Sequence, residues 1–380
     1  GGGEPSVTDR LPSLLESAAH TDLLRLDQVP SHAARGIRGE DGEIVNTGLS
    51  TRQRDVDSIA LPAWDMFPLE HYIDRHQING VNLGRSMPLL ATRGCPYQCA
   101  FCSNPFMWTQ RWIPRSPKLV VDEIESYVRK YNVSNFDFQD LTAVIKRRWI
   151  LEFCEELKAR NLNITWQMPS GTRAETFDDE VAEALHSSGC RALAFAPESG
   201  SAEMLEIVKK KVDLDRMLAA VRTALDHDLT LSCFFVIGFP DETRETMSKT
   251  LRLIRRLAIM GVHDISVAKF VPYPGSELFR QLQQSGKIDL DDEFFESPMD
   301  FYTREAPSYA DRISTRRLFF MMNWMFINFY VLSFLVRPHR VIRVLYNAIV
   351  HGREETRYSK WFVDRFYTRP KWKKMQLQKA

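Results

Sequence analysis

Residues 88–102 read Pro-Leu-Leu-Ala-Thr-Arg-Gly-Cys-Pro-Tyr-Gln-Cys-Ala-Phe-Cys. The first five residues, 88–92, form a short apolar run of the length and composition of a β-strand. Three cysteines, Cys95, Cys99 and Cys102, follow within eight residues. Because a barrel carries its chemistry at the carboxyl ends of its strands, a cysteine loop in this position predicts a metal site.

The pattern that begins with this stretch repeats as far as residue 270, where short apolar runs alternate with segments of 3.6-residue periodicity. We expect strands at Pro88–Thr92, Asn135–Phe138, Asn163–Met168, Ala192–Ala196, Thr230–Ile237 and Asp264–Phe270. We expect helices at Lys118–Lys130, Arg147–Arg160, Asp178–Ser187, Leu214–Asp228 and Glu242–Met260. This order predicts an α/β fold with a parallel sheet, and six strands fit either a partial barrel or an open doubly wound sheet.

Three segments of the chain differ in character. Residues 1–80 are rich in Pro, Asp, Ser and Arg and are interpreted as a linker with the remnant of an upstream domain. Residues 81–276 carry the repeating pattern and are the predicted core, and residues 277–380 are a predicted C-terminal helical region. The chain opens with three glycines and no initiator Met, which favours a fragment of a longer protein.

The composition is that of a globular protein, with 44% hydrophobic residues, 26% charged residues and a net charge of +1. Six cysteines are too few for a disulfide scaffold in 380 residues, and three of them are crowded into one loop. The scattered Cys154, Cys190 and Cys233 are interpreted as small buried hydrophobic residues. This cysteine usage predicts a cytoplasmic protein with one metal site.

Three thiolates in one loop can hold three irons of a cubane cluster and leave the fourth iron open to an external ligand. A structural zinc site needs a fourth Cys or His, and none lies within ten residues of the loop. A redox dithiol needs two cysteines, and an electron-transfer cluster normally has protein ligands on all four irons. These alternatives stay open, but the pattern favours a catalytic [4Fe–4S] cluster.

The Cys-x3-Cys-x2-Cys loop resembles the signature of the radical S-adenosylmethionine (SAM) superfamily, and flanking segments support the resemblance. They are Phe101 before the third cysteine, Gln139-Asp140, the segment 196–200 (Ala-Pro-Glu-Ser-Gly), the segment 238–240 (Gly-Phe-Pro) and the segment 272–276 (Pro-Tyr-Pro-Gly-Ser). Most of them follow a predicted strand. The resemblance covers about residues 80–276 and implies a partial (β/α)6 TIM-like barrel.

The resemblance also implies roles for residues. Cys95, Cys99 and Cys102 would bind the [4Fe–4S] cluster, and the predicted SAM contacts are Phe101, Asp140, Arg173, Glu198 and Gly238. Arg173 is chosen because it follows the third strand and could meet a carboxylate with two hydrogen bonds, although a surface salt bridge explains it equally well. No catalytic residue is expected beyond the cluster. An electron from a reductant such as flavodoxin or ferredoxin would cleave SAM to a 5′-deoxyadenosyl radical, which abstracts a hydrogen from the substrate.

Two further segments are similar to one branch of the superfamily, in which a cobalamin-binding domain precedes the barrel. They are Gly2-Gly3-Glu4 and the linker 62–69 (Pro-Ala-Trp-Asp-Met-Phe-Pro-Leu). The Asp-x-His-x-x-Gly segment that ligates cobalt in that domain does not occur in this sequence, so cobalamin is expected only in a longer parent protein. The branch implies modification of a hydrophobic metabolite that is lipid-, isoprenoid- or tetrapyrrole-like, with methyl transfer among its reactions.

Two alternatives to this function remain. Methylthiolation of RNA or protein would require further cluster cysteines before the barrel, and residues 1–94 contain none. A non-catalytic iron–sulfur carrier would not require the polar segments at successive strand ends.

The C-terminal region carries two further features. The stretch Leu318–Val336 has nineteen residues without a charge, and a buried or interfacial helix is preferred over a spanning one. Residues 337–380 contain twelve Lys or Arg and three Asp or Glu, with aromatic residues between them. Such a tail suggests peripheral contact with an anionic membrane, while a solvated helical bundle explains it equally well. Nucleic acid would also attract the charge, but it is not an expected partner.

Overall fold

The computed structural model describes residues 53–74, 80–108, 110–296 and 301–350, two short strands before them, and Val363. The chain divides into two compact units, residues 1–55 and 56–380. The two short strands, β1 (Gly36–Arg38) and β2 (Ile44–Asn46), form an antiparallel pair in the first unit. Most of the predicted upstream remnant and most of the basic tail lie outside the described residues, so the domain limits at 80 and 276 stay predictions.

The second unit contains the remaining elements. Its strands are β3 (Ser86–Leu89), β4 (Thr92–Arg93), β5 (Ile113–Pro114), β6 (Asn135–Phe138), β7 (Thr165–Thr172), β8 (Cys190–Glu198), β9 (Thr230–Ile237) and β10 (Asp264–Lys269). Its helices are α1 (Leu69–Asp74), α2 (Asn104–Met107), α3 (Pro117–Tyr131), α4 (Arg147–Ala159), α5 (Asp179–Ser187), α6 (Ala202–Ile207), α7 (Leu214–Asp226), α8 (Arg244–Met260), α9 (Glu277–Gln284), α10 (Asp292–Glu296), α11 (Thr315–Val336) and α12 (Pro338–Val350).

Six parallel strands form the central sheet in the order β10-β9-β8-β7-β6-β3. This spatial order follows the chain order without a reversal, whereas a doubly wound sheet has a switch point where the order reverses. Among the described residues, β3 and β10 are the edges of the sheet and do not pair with each other. The predicted α/β fold is therefore confirmed, and the sheet is an open, partial barrel.

The predicted first strand, Pro88–Thr92, is placed too far along the chain. The strand in the sheet is β3, which ends at Leu89, and Thr92 instead pairs with Pro114 in an antiparallel ladder. The buried carboxylate of Asp140 explains this end. It accepts hydrogen bonds from the backbone N–H groups of Ala91 (3.2 Å) and Thr92 (2.5 Å), and these groups are therefore not available to the parallel ladder.

The two faces of the sheet have opposite character because successive side chains of a strand point to opposite sides. The outer face is aromatic and aliphatic and packs on the helices. There the ring of Phe138 lies 5.0 Å from Trp166 and 5.5 Å from Phe153 of α4. The inner face begins with polar residues: Asp137 Oδ1 accepts from Asn135 Nδ2 (2.8 Å) and Gln167 Nε2 (2.6 Å).

The scattered cysteines, Cys154, Cys190 and Cys233, are buried free thiols.

The predicted apolar stretch forms α11, which packs against α8 and β10. One of its faces is buried, and its residues are Leu318, Met322, Met325, Phe329 and Ser333. Polar side chains fix the helix in place, since Tyr330 Oη donates to Asp264 Oδ1 (2.6 Å) and Arg255 Nε donates to Asn328 Oδ1 (2.9 Å). By length and composition α11 could cross a membrane, but one side of it covers the domain and the other side is exposed.

Candidate iron–sulfur site

The cysteine loop begins directly after β4, at the carboxyl end of the central sheet. Gly94 lets the chain turn from β4 into the cysteine loop, because its φ of +79° is a conformation that glycine adopts easily. A Cβ at this position would also collide with the carbonyl oxygen of Arg111. Backbone hydrogen bonds then fix the loop to two distant segments. Ala100 N donates to Val208 O (2.9 Å) and Leu278 N donates to Ala100 O (2.9 Å). These bonds hold the cysteine loop against the end of α6 and the start of α9.

Cys95, Cys99 and Cys102 are free thiols, and each is half-buried. Burial raises the pKa of all three thiols. The positive charge of Lys210 acts against this rise at every thiol, and that of Arg173 acts at Cys95 and Cys99. Burial is the largest effect at each thiol, so the pKa stays raised and the nearby positive charges oppose only part of the rise.

Asn104, at the start of α2, connects two of these cysteines and was not predicted from the sequence. Its backbone N–H donates to Cys102 Sγ (3.4 Å) and its side-chain Nδ2 donates to Cys95 O (3.2 Å). Its buried Oδ1 has no hydrogen-bond partner among the described residues. Hydrogen bonds to a ligand sulfur are one means by which a protein tunes an iron–sulfur centre.

Phe101, predicted to contact SAM, lies beside Phe239 of the Gly-Phe-Pro segment 238–240. Its ring centroid is 5.5 Å from that of Phe239, which is fully buried. Both rings pack in a small hydrophobic cluster with Val236. The structure therefore brings Phe101, which precedes the third cysteine, next to the Gly-Phe-Pro segment that follows β9.

Glu198 ends β8 with a left-handed backbone (φ +66°). Its Oε1 lies 2.9 Å from Lys210 Nζ, and both side chains are about nine-tenths buried, with exposed fractions of 10% and 9%. The charge of Glu198 acts on Cys99 and Cys102, so the pair lies at the thiols. Lys210 was missed because a lysine within the run 209–211 carries no pattern that separates it from a solvated one.

Arg173 is buried and is not a surface residue. Its guanidinium carbon lies 3.8 Å from the ring centre of Tyr97, inside the cysteine loop. Arg173 Nη2 lies 2.7 Å from Glu175 Oε1 and also donates to the carbonyl oxygen of Lys211. Contact with SAM stays a prediction for this residue, but its place at the cysteine loop is clear.

Asp140 follows β6 as predicted, and its contact with SAM stays a prediction. Both of its carboxylate oxygens accept backbone N–H groups between β3 and β4, and the side chain is 2% exposed. Burial raises the pKa of Asp140 to about 6, and the hydrogen bonds act in the opposite direction. The carboxylate holds the segment that leads into the cysteine loop, so in this structure Asp140 is a positioning residue.

Gly238 ends β9 with a φ of +86°, and its N–H donates to Glu242 Oε2 (2.9 Å). A Cβ here would collide with Leu318 of α11, so the C-terminal helix closes directly over this turn. Glu242 is buried and also accepts from Thr246 Oγ1 (3.0 Å), and burial raises its pKa to about 7. Its role as the acceptor for this turn was not predicted.

The donor set fits an iron–sulfur cluster. Three free, half-buried thiols occupy one loop, positive side chains lie beside them, and a backbone N–H is directed at one sulfur. No group of three or more His, Cys, Asp or Glu in the described part of the chain is arranged to hold a single metal ion. A cubane makes a different demand, because each thiolate binds its own iron.

The comparisons with known proteins agree with this donor set. The profile of the Radical SAM superfamily matches residues 89–254, which include every predicted site residue. Residues 89–254 therefore form a radical SAM domain. The family implies SAM and a [4Fe–4S] cluster as cofactors.

Two relatives show how much of such a protein this chain represents. An uncharacterized methyltransferase of Pyrococcus horikoshii is 31% identical over 252 residues, which are 64% of this chain and 52% of the relative. The anaerobic magnesium-protoporphyrin IX monomethyl ester cyclase of Rubrivivax gelatinosus is 28% identical over 291 residues, which are 76% of this chain and 51% of the relative. The chain thus spans about half the length of these curated relatives.

A solved structure shares the fold over nearly the whole chain. The cobalamin-dependent S-adenosylmethionine radical enzyme OxsB matches 94% of this chain and 57% of its own chain, with a TM-score of 0.57. The sequences are 14% identical, so the likeness concerns the fold alone.

Proposed function

We propose that this chain is the catalytic part of a radical SAM enzyme that transfers a methyl group to a hydrophobic metabolite. The observation that carries the proposal is the set of three free thiols, Cys95, Cys99 and Cys102, in one loop at the carboxyl end of a partial barrel. When bound there, a [4Fe–4S] cluster with one open iron would chelate SAM and supply the electron that cleaves its sulfonium bond.

The residues of the chain would do three things. The cysteines would hold the cluster, and Asn104 would fix the loop that carries them. Arg173 and Lys210 would oppose the rise that burial imposes on the pKa of Cys95 and Cys99. Phe101, packed against Phe239, would offer an aromatic face to a planar ring.

A hydrophobic substrate is supported by the inner face of the sheet. Beyond the polar residues of its first strands, this face carries small or apolar side chains: Ala196 and Phe234 approach Gly171 within 3.6 and 3.9 Å of where its Cβ would be. Phe234 and Val236 are half-buried, whereas the outward residues between and beside them are fully buried. Among the described residues, this half-buried apolar face beside Phe101 suits an apolar ligand better than a charged one.

Methyl transfer is supported by the relatives, which include a methyltransferase and a cyclase.

Cobalamin is a separate matter. No residue of this chain matches the cobalt-ligating Asp-x-His-x-x-Gly motif, so the described residues do not fit a cobalamin site. We place any cobalamin in chain outside these 380 residues, in keeping with relatives of about twice the matched length.

The test is anaerobic reconstitution with iron and sulfide, followed by reduction and addition of SAM. We expect about four irons per chain and 5′-deoxyadenosine as a product measured by mass spectrometry. Cys99→Ala should lose both signals. Cys154→Ala is the matched control, because Cys154 is a buried free thiol of α4 outside the cysteine loop, and it should keep both.

Each result has a definite meaning. A cluster without 5′-deoxyadenosine would refute SAM cleavage and favour an iron–sulfur carrier. Failure to bind iron in a folded protein would refute the cluster itself. Product from an added tRNA or peptide, and none from apolar acceptors, would refute the hydrophobic substrate and favour methylthiolation.

A further inference from the structure

The outward face of the two C-terminal helices is apolar. Its residues are Phe320, Trp324, Ile327, Val331 and Leu335 on α11 and Ile342, Tyr346 and Ile349 on α12, and we call this set the C-terminal apolar surface. The spacing of three or four residues places each group along one side of its helix. Phe320 is 64% exposed, Leu335 73% and Ile342 72%. These side chains are not part of the core.

Such a face is unusual on a helix that packs on a globular domain, where the outer side is normally polar. Here α11 is apolar on both sides. The inner side covers α8 and β10, and Leu318 lies over Gly238. From Phe320 to Leu335 the outer row extends for about 22 Å at 1.5 Å per residue. An apolar surface of this length marks an interaction site.

The charges around the surface restrict its occupant. Residues 315–350 contain five arginines and no Asp or Glu. Arg316 is exposed at one end of α11, and Arg343 is exposed on α12 beside Ile342. The complementary partner is therefore apolar inside and negatively charged at its boundary, which is the chemistry of a bilayer with anionic lipids.

A second copy of the chain fits less well. A two-fold contact would bring the same patch of both copies together, and the arginines of one copy would then face those of the other. Like charges in such a contact oppose association. No acidic residue between Thr315 and Val350 is present to compensate them.

A spanning helix is also disfavoured by the packing. The inner side of α11 is held by Asp264 and Arg255 through Tyr330 and Asn328, so the helix remains on the domain. Within the part of the chain that the structure describes, its outer side is exposed. A helix held in this way can lie in the plane of the interface, with its apolar side chains at the boundary between headgroups and acyl chains.

We propose that the C-terminal apolar surface docks the protein on a membrane that contains anionic lipids. The proposal goes beyond the proposed reaction and does not depend on it, because none of its residues belongs to the cysteine site. It would deliver a lipid-soluble acceptor by lateral diffusion in the bilayer.

The experiment is co-sedimentation of the 380-residue chain with vesicles of phosphatidylcholine alone or with phosphatidylglycerol added. We expect binding to the anionic vesicles at low salt and weaker binding at about 0.5 M salt, where charges are screened. Leu335→Glu and, separately, Ile342→Glu should each weaken binding about tenfold or more, because each places a carboxylate in the contact. Met66→Glu is the matched control, since Met66 is 83% exposed outside this surface.

Circular dichroism should first show that all three variants are folded, and iron binding and 5′-deoxyadenosine formation should be unchanged in them. Absence of binding by the folded wild type to anionic vesicles would overturn the proposal. Equal weakening by Met66→Glu and Leu335→Glu would overturn its location. A dimer in sedimentation velocity that Leu335→Glu dissociates, with no vesicle binding, would assign the surface to a second copy instead.

Discussion

The guanidinium carbon of Arg173 lies 3.8 Å from the ring centre of Tyr97, and Tyr97 stands midway between Cys95 and Cys99. A cation over an aromatic face is attracted by the ring, and the attraction is stronger where water is excluded. Arg173 follows β7 directly, so this contact connects the cysteine loop to the middle of the sheet. The same guanidinium also influences the thiols on both sides of Tyr97.

This contact should stabilise the bound cluster. We expect Tyr97→Ala to speed the loss of iron to a chelator by about two- to thirtyfold, the range that corresponds to a cation–π contact of about 0.5–2 kcal/mol. Tyr97→Phe keeps the aromatic face and should behave like the wild type. The double variant Tyr97→Ala/Arg173→Ala should lose little more than either single variant. Additive losses would show that the two residues act separately.

The repeating pattern predicted the sheet well, because each strand and helix carries its own local signal. β6 and β9 have the predicted bounds, and β10 differs by one residue. The first strand was misplaced for a reason that no local pattern contains. Asp140, about fifty residues further on, takes the N–H groups of Ala91 and Thr92 and ends the strand early.

The candidate site was also predictable in part from local patterns in the sequence. The cysteines, Phe101 and Gly238 could be proposed because their spacing or turn chemistry is visible in the sequence, and their roles stay predictions. Lys210 and Tyr97 were missed, because what distinguishes them is burial against residues that are distant in the chain. Asp140 was found, but its partners are backbone groups that a sequence does not display.

Glu242 should make stability depend on pH. Burial raises its pKa from 4.5 to about 7, so the folded state holds the proton more tightly than the unfolded state. Its contribution is therefore fully present below about pH 4.5 and is lost as the pH rises through 7. Glu242→Gln can still accept from Gly238 and should reduce this loss by about 2–3 kcal/mol.

Urea unfolding of the wild type and Glu242→Gln at pH 5 and pH 8 measures this difference. Asp137 and Asp140 also have pKa values raised to about 6 and should leave a dependence of the same sign in the variant. An unchanged difference between the two pH values would show that Glu242 titrates normally.

Gly238→Ala tests the contact between the β9 turn and α11. The alanine would be strained by the left-handed backbone, and its Cβ would collide with Leu318. Together these two effects should lower the free energy of unfolding by about 2–5 kcal/mol. Gly286→Ala separates them, because Gly286 also has a positive φ (+66°) but nothing within 4 Å of its Cβ position. It should cost about 1 kcal/mol.

Adding Leu318→Ala should remove the collision, so Gly238→Ala/Leu318→Ala should be less destabilised than the sum of the single variants by about 1–3 kcal/mol. Strict additivity in urea unfolding would mean that Leu318 does not contact this turn.

Arg337 holds the end of α8 against the junction of α11 and α12. Its Nη1 donates to Ile259 O and its Nη2 to Met260 O, each at 2.9 Å. A cation at a helix C-terminus is favoured by the dipole, and the planar fork satisfies two carbonyls that lack helical partners. Arg337→Gln loses the charge and the fork and should lower the free energy of unfolding by about 1–2 kcal/mol. Arg148→Gln, at a residue 90% exposed with an i+4 partner, should stay within about 0.5 kcal/mol of the wild type. Equal losses in urea unfolding would mean that Arg337 is an ordinary surface charge.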